Sequence, residues 1–247
     1  MCTILVAFRA FDDAPLAVAA NRDESPDRPS RGPAVDEGDP AVLAPRDERA
    51  GGTWMGINER RLFAVLANRW TDEELAGDRS RGLLVDDVLA TGSIDAATTV
   101  VRSETAAHEY EGFSLVVATP TAARLFVWDG VLREETLDEG VHVVVNVGID
   151  GEYEIPRERA AVGRTQATAA DSIRDAVEPR SGETARDWVR RAGDVLGDHE
   201  YGACLHHERY GTVSSSLVTV GADGSVDWAY ADGPPCTTPF RPVDGQI

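Results

Sequence analysis

Apolar positions along the chain fall into short runs that come in pairs. Residues 2–8 (CTILVAF) and 15–20 (PLAVAA) have strand length, and the FDDAP between them supplies turn residues, so a hairpin is predicted. TWMGIN and RLFAVLAN, on either side of Glu59-Arg60, form a second pair, and FSLVVAT (113–119) with ARLFVWDG (123–130) a third. VHVVVN (141–146) reads as a further strand, and YGTVSSSLVTVG with SVDWAYA as a last hairpin around Ala222-Asp223-Gly224. Helical spacing appears in Leu83–Leu89, in Ile94–Val101 behind a Ser93 N-cap, and across 157–176 and 184–196. Residues 25–50, rich in Pro, Asp, Arg and Gly, carry no period and are predicted to form a long functional or mobile loop. The Pro-rich tail after Gly233 reads as irregular. Strands in adjacent pairs, with helices gathered between the pairs, indicate antiparallel sheets and an α+β class, not a βαβ repeat. With no internal repeat, low-complexity segment or linker, one domain is expected over residues 1–247.

Composition leaves that picture intact, but charge adds to it. At 42% hydrophobic and 27% charged residues, 247 residues can bury a large core. Asp and Glu number 43 against 24 Lys plus Arg, for a net charge of -19, and every one of the 24 is Arg. Such a chain is repelled by nucleic acid and by anionic membranes, which excludes both as partners. The acid is spread through the sequence and not gathered into a tail, which favours adaptation to a salt-rich cytoplasm over a dedicated site for basic partners. No apolar run is long enough to insert into a membrane, and MCTILVAFRAFDD lacks a basic leader and a long apolar stretch, so a cytoplasmic location is expected.

Three widely spaced cysteines, Cys2, Cys204 and Cys236, argue against a disulfide framework and fit a reducing compartment. Neither a CxxC nor an HxxxH spacing occurs, so no metal is expected. His206 and His207 beside Cys204 invite a metal or haem reading. However, adjacent residues of a strand point to opposite faces, and a polar strand end is the favoured interpretation. Cys204 and Cys236 read as small buried apolar residues. Ser214-Ser215-Ser216 lacks the GxSxG context of a serine nucleophile.

The candidate chemistry lies at the start of the chain. If Met1 is removed, Cys2 carries both a thiol and an α-amine whose ordinary pKa of about 7.7–8.0 suits it to take the thiol proton. One residue then supplies nucleophile and base. Asn21-Arg22-Asp23-Glu24 closes the second apolar run, so a hairpin returns it to the chain start. An Asp there can hold the amine, and an Arg can favour thiolate. The paired glycines of GGTWMGIN (51–58) permit close backbone approach, and Trp54 reads either as the apolar wall of a pocket or as a core residue. Arg46 and Asp47 precede it as ligand contacts or a surface pair.

These motifs, taken together, resemble the NRDE family, also called the transport and Golgi organization family. NRDE stands intact at Asn21 to Glu24, and MCTILVAF, Arg46-Asp47 with GGTW, AVLANR (64–69), SRG (80–82), the Asn146 region and YGTVSSS (210–216) follow in family order. VNVGID at 145–150 departs from the pattern, lacking a Trp that relatives often carry. The opening is more distantly similar to choloylglycine hydrolase and penicillin V acylase. That resemblance implies a four-layer αββα sandwich of the N-terminal-nucleophile hydrolase type, acting on an amide or related acyl substrate without a cofactor. By the same analogy Cys2, Arg22, Asp23 and Asn146 are catalytic, Asn146 as oxyanion donor. Asn21, Glu24, Arg46, Asp47, Trp54 and Asn68 would contact a small-molecule ligand. The family resemblance equally implies an alternative, a non-catalytic carrier of haem or of acyl-CoA and other lipids.

The charge pattern yields a first prediction. Melting temperature should fall when molar salt is replaced by dilute buffer, because screening of like charges is lost. Equal melting temperatures in the two would remove the salt-adaptation reading.

Overall fold

The computed structural model describes residues 2–245 and 247. In chain order the strands and helices are β1 (Thr3–Phe8), β2 (Leu16–Glu24), β3 (Ser30–Asp36), β4 (Val42–Asp47), β5 (Met55–Asn58), β6 (Phe63–Asn68), α1 (Arg81–Leu89) and α2 (Ile94–Ala107). There follow β7 (Phe113–Ala118), β8 (Ala123–Trp128), β9 (Leu132–Thr136), β10 (Gly140–Val145), β11 (Gly148–Ile149), β12 (Glu152–Tyr153), α3 (Ala160–Ala176) and α4 (Ala185–Gly197). The chain closes with β13 (His206–His207), β14 (Tyr210–Val220), β15 (Val226–Ala231) and β16 (Arg241–Pro242). These elements make two compact units, one of Met1–Asp27 with Asp138–Val243, the other of Arg28–Leu137 with Asp244–Ile247.

The first unit joins the two ends of the sequence in one antiparallel sheet, ordered β12-β11-β10-β1-β2-β14-β15-β16, with β13 also on β14. β1 and β2 are buried almost throughout, as their unbroken apolar runs require of central strands. α3 packs on β10, and α4 packs on β2 and β14. α4 starts where the Thr184 hydroxyl accepts from the Asp187 amide, and its buried stripe includes Trp188, Ala192 and Leu196. Gly193 lets it approach the sheet closely, since a Cβ there would meet the Leu217 side chain at 3.0 Å.

The second unit is a sequential meander, β3-β4-β5-β6-β7-β8-β9. α1 and α2 cover a core that includes Leu66, Val88, Val101, Phe113 and Phe126. The Ser93 hydroxyl caps α2 by accepting from the Ala96 amide, as its position before the periodic run indicates. Each unit thus supplies one sheet and one pair of helices, and the α+β class holds.

The loop expected over 25–50 is the main correction. Half of it is β3 and β4, paired antiparallel with a bulge between Arg31 and Ala34 that takes up Pro33. β3 is the partly exposed edge of its sheet, so it needs no apolar alternation and left none to read. The short strands β9, β11, β12 and β16 likewise lie at or near sheet edges.

The glycines of GGTW turn out to serve backbone packing. A Cβ on Gly52 would lie 2.2 Å from the Gly82 carbonyl carbon, and the Thr53 amide donates to the Gly82 carbonyl at 3.1 Å. GGTW and SRG are therefore two sides of one contact. Gly51 differs, having a φ of +81° with open space where a Cβ would go. Gly51→Ala should cost about 1 kcal/mol in urea unfolding, the left-handed penalty alone. Gly52→Ala should cost about 3 kcal/mol through backbone displacement. Equal losses would show that the two motifs do not meet.

Candidate functional site

Strand register assembles the site. In β1, Thr3 pairs with Asn21 of β2 on one side and with Val145 of β10 on the other. Cys2, one residue before Thr3, therefore falls level with Arg22 and Asn146, which follow those partners. The Cys2 amide donates to Asn146 Oδ1 at 2.9 Å, and Gln166 Nε2 from α3 donates to the same oxygen at 2.9 Å. Two donors on one oxygen fix the amide plane of Asn146 and turn its N–H pair the other way. Cys2 Sγ lies 4.0 Å from the Asp23 carbonyl.

Asp23 is 3% exposed, and the Thr212 hydroxyl donates to its Oδ1 at 2.6 Å. Thr212 is the cross-strand partner of Asp23, and it in turn accepts from the Leu205 amide at 3.0 Å. The register slips between Thr212 and Ser214, so Val213 bulges at the level of Arg22 and Asp23. Bulges of this kind re-aim side chains beside functional sites.

Burial dominates the electrostatics. It pushes the Cys2 thiol above its usual range, while Arg22 pulls the other way. It also raises the Asp23 carboxyl to about 6, against the Thr212 hydroxyl, which favours the charged form. The Tyr210 phenol is driven up chiefly by burial, with Cys2, Asp23 and Glu24 acting in the same direction. The arrangement thus holds a neutral thiol, an acid poised near 6 and an oriented amide within one end of a rigid sheet.

Cys2, Arg22, Asp23 and Asn146 are brought together as expected. Asn21 has a different place. Its Nδ2 donates to the carbonyls of Leu196 and Ala203 at 3.0 Å each, so it ties α4 and the segment after it to β2 and has no amide hydrogen left for a ligand. Glu24 accepts from the Ser25 amide at the strand end. Arg46, Asp47, Trp54 and Asn68 belong to the other unit. There Arg46 is consumed by Asp36 at 2.5 Å and by Asp86. Asp47 accepts from the amides of Arg49 and Ala50 and from Arg28 Nε, closing its turn. Both therefore act as internal ties of their own unit. Trp54 is half-buried, and so is Asn68 at the end of β6.

Gln166, Thr212 and Tyr210 were missed by sequence reasoning. Gln166 is a buried polar residue on the inner face of α3, and a helix pattern that places a Gln among Gly163, Ala167 and Ala170 is the available signal. Thr212 and Tyr210 lie within the YGTVSSS motif, where only the serines were weighed as nucleophiles.

Comparison with known proteins fits this geometry. The family model of Transport and Golgi organisation 2 matches residues 1–230. The chain belongs to that family. A curated relative, the Transport and Golgi organization protein 2 homolog of Bos taurus, is 27% identical over 259 residues, covering 92% of this chain and 91% of its own. Among solved structures, penicillin V acylase from Agrobacterium tumefaciens aligns over 99% of this chain and 98% of its own, with a TM-score of 0.51 at 12% identity. The C2A mutant of conjugated bile acid hydrolase from Clostridium perfringens aligns over 100% and 97%, with a TM-score of 0.54 at 11% identity. This family member therefore has the fold of the N-terminal-nucleophile hydrolases. Among its described residues no helix is long and apolar enough to cross a membrane.

The raised Asp23 carboxyl gives a pH prediction. Its folded pKa of about 6 lies above the ordinary 3.8, so the folded chain holds a proton that the unfolded chain has lost between those values. The stability from this group is full below about 4 and is lost as pH rises through about 6, a change on the order of 3 kcal/mol. Asp23→Asn should flatten that part of the stability profile, measured by urea unfolding from pH 4 to 7. An unchanged slope would place Asp23 in contact with water.

Proposed function

We propose that the chain is an N-terminal-cysteine hydrolase of amides or related acyl compounds, active once Met1 has been removed. The supporting observation is the hydrogen bond from the Cys2 nitrogen to Asn146 Oδ1, 2.9 Å long, at the end of a central strand. In the processed chain that nitrogen is the α-amine, and Asn146 holds it beside the thiol it must deprotonate.

Burial keeps the thiol protonated at rest, so proton transfer to the amine accompanies attack. The sulfur bonds to the acyl carbon, and the carbonyl oxygen takes the electron pair. In this reading the Asn146 N–H pair donates to that oxygen, a contribution worth about 3–4 kcal/mol where such donors are removed. The ammonium returns its proton to the leaving amine and a thioester remains. Water, activated by the same amine, then hydrolyses it. Arg22 supplies positive charge beside the sulfur, and Asp23 positions the amine. The two hydrolase neighbours support the fold-level part of this reading, since the names they carry are those of an acylase and a bile acid hydrolase.

Intact mass of the purified protein should show loss of one methionine. Cys2→Ser should lower turnover of a panel of simple amides and thioesters by at least a thousandfold while the melting temperature stays within a few degrees. A non-catalytic carrier of haem or acyl-CoA gives the opposite pattern: no turnover in the processed wild type, and ligand affinity that survives Cys2→Ser.

A further inference from the structure

Away from the Cys2 site, the first unit gathers a second set of reactive side chains. His199 Nε2, Cys204 Sγ, His206 Nε2 and Cys236 Sγ all lie within 4.8 Å of one another. Two of the chain's five histidines and two of its three cysteines meet there. We propose that these four residues form a closed, tetrahedral, structural zinc site.

Four of the six ligand-to-ligand distances suit a tetrahedral ion, and the two from His199 to the sulfurs lie within 4.8 Å. Zinc binds imidazole nitrogen at about 2.0–2.1 Å and thiolate sulfur at about 2.3 Å. The edges of such a tetrahedron are then about 3.3 Å between two nitrogens, about 3.6 Å between nitrogen and sulfur and about 3.8 Å between two sulfurs. Here the two nitrogens are 3.2 Å apart, the Cys204 and Cys236 sulfurs 3.5 Å, and His206 Nε2 is 3.5 Å from Cys204 Sγ and 3.2 Å from Cys236 Sγ. Both histidines present the same ring atom, and their rings meet edge to face at 82°. A tetrahedral pair of thiolates and pair of imidazoles selects zinc among common divalent ions. Four protein ligands leave no open position for substrate, so the site is structural.

The backbone is shaped to present these ligands. His199 stands in a single 3-10 turn capped by the Asp198 carboxylate and closed by Gly202 at a φ of 66°. His206 is in β13, paired with Gly211 of β14, and only its neighbour His207 points the other way. Cys236 sits in a turn where the amides of Thr237 and Thr238 donate to the Pro234 carbonyl. The metal would join that Pro-rich tail to the segment after α4. The Ala203 carbonyl and Leu205 amide of the same segment hold Asn21 and Thr212, so the zinc would stiffen the support behind Asp23. Binding releases two thiol protons, one from each cysteine, and forms two Zn–S and two Zn–N bonds.

The test uses the full chain purified without chelators and under reducing conditions. Elemental analysis should find one zinc per chain, and cobalt exchanged into it should show the visible bands of a tetrahedral ion with thiolate charge transfer in the near ultraviolet. Cys236→Ser, in a turn outside the main strands, should lower bound zinc at least tenfold, while His207→Ala leaves it at one. Zinc content below a tenth per chain with a dissociation constant weaker than about 1 µM would overturn the proposal. A Cys204–Cys236 disulfide in the freshly lysed protein, or equal zinc loss in His207→Ala, would overturn it too. A missing methionine or hydrolase activity bears on none of these outcomes.

Discussion

Antiparallel pairing of β1 with a strand on each flank is the constraint from which the site follows. The pairing has a period of two residues, so a slip of one would move Cys2 to the opposite face and separate it from Arg22 and Asn146. That slip is blocked by burial, because Ile4, Leu5, Val6 and Ala7 are each 2% exposed or less and every one would have to exchange environments. The hydrophobic effect, acting on apolar residues of β1, thus sets the position of Cys2. Asn146 follows the last residue of β10, and its side-chain oxygen accepts from Cys2 and Gln166.

Around this frame the polar groups act as ties between segments. Asn21 joins β2 to α4 and to the segment after it, Thr212 joins Asp23 to Leu205, and Gln166 joins α3 to Asn146. Each is buried and each spends its donors on another part of the chain, which offsets part of the desolvation penalty, while Asn21 Oδ1 and Gln166 Oε1 are left without a hydrogen-bond partner among the described residues. The NRDE motif is therefore divided in use. Its Asn holds the scaffold, and its Arg and Asp shape the surroundings of the thiol. In the second unit Arg46 and Asp47 repeat the scaffold role, binding their own sheet and turn.

The sequence disclosed what periodicity can encode. Long apolar pairs became β1–β2, β5–β6, β7–β8 and β14–β15, and the helices after Ser80, Ser93 and Thr184 start at side-chain caps. Edge strands were illegible, since β3 meets water along much of its length and carries no alternating signature. Cys2, Arg22, Asp23 and Asn146 were legible because they mark strand ends and because of the family resemblance. Gln166 and Thr212 were not, as their importance depends on which helix covers which strand. The four-residue His and Cys cluster was hidden for a related reason. Its members are 199, 204, 206 and 236, a spacing that only the return of the tail to the sheet makes meaningful.

The first unit's sheet is completed by strands far apart in the sequence, and this sets an order of events during synthesis. β2 leaves the ribosome long before β14, its partner through Asn21 and Ser215. At about 5–20 residues per second, the interval is roughly 10–40 s. For much of it β1 lacks even β10, and throughout it β1 has no finished sheet to enter, so Cys2 stays outside its final surroundings. The topology therefore leaves the surroundings of Cys2 incomplete until Thr212 of β14 has been made.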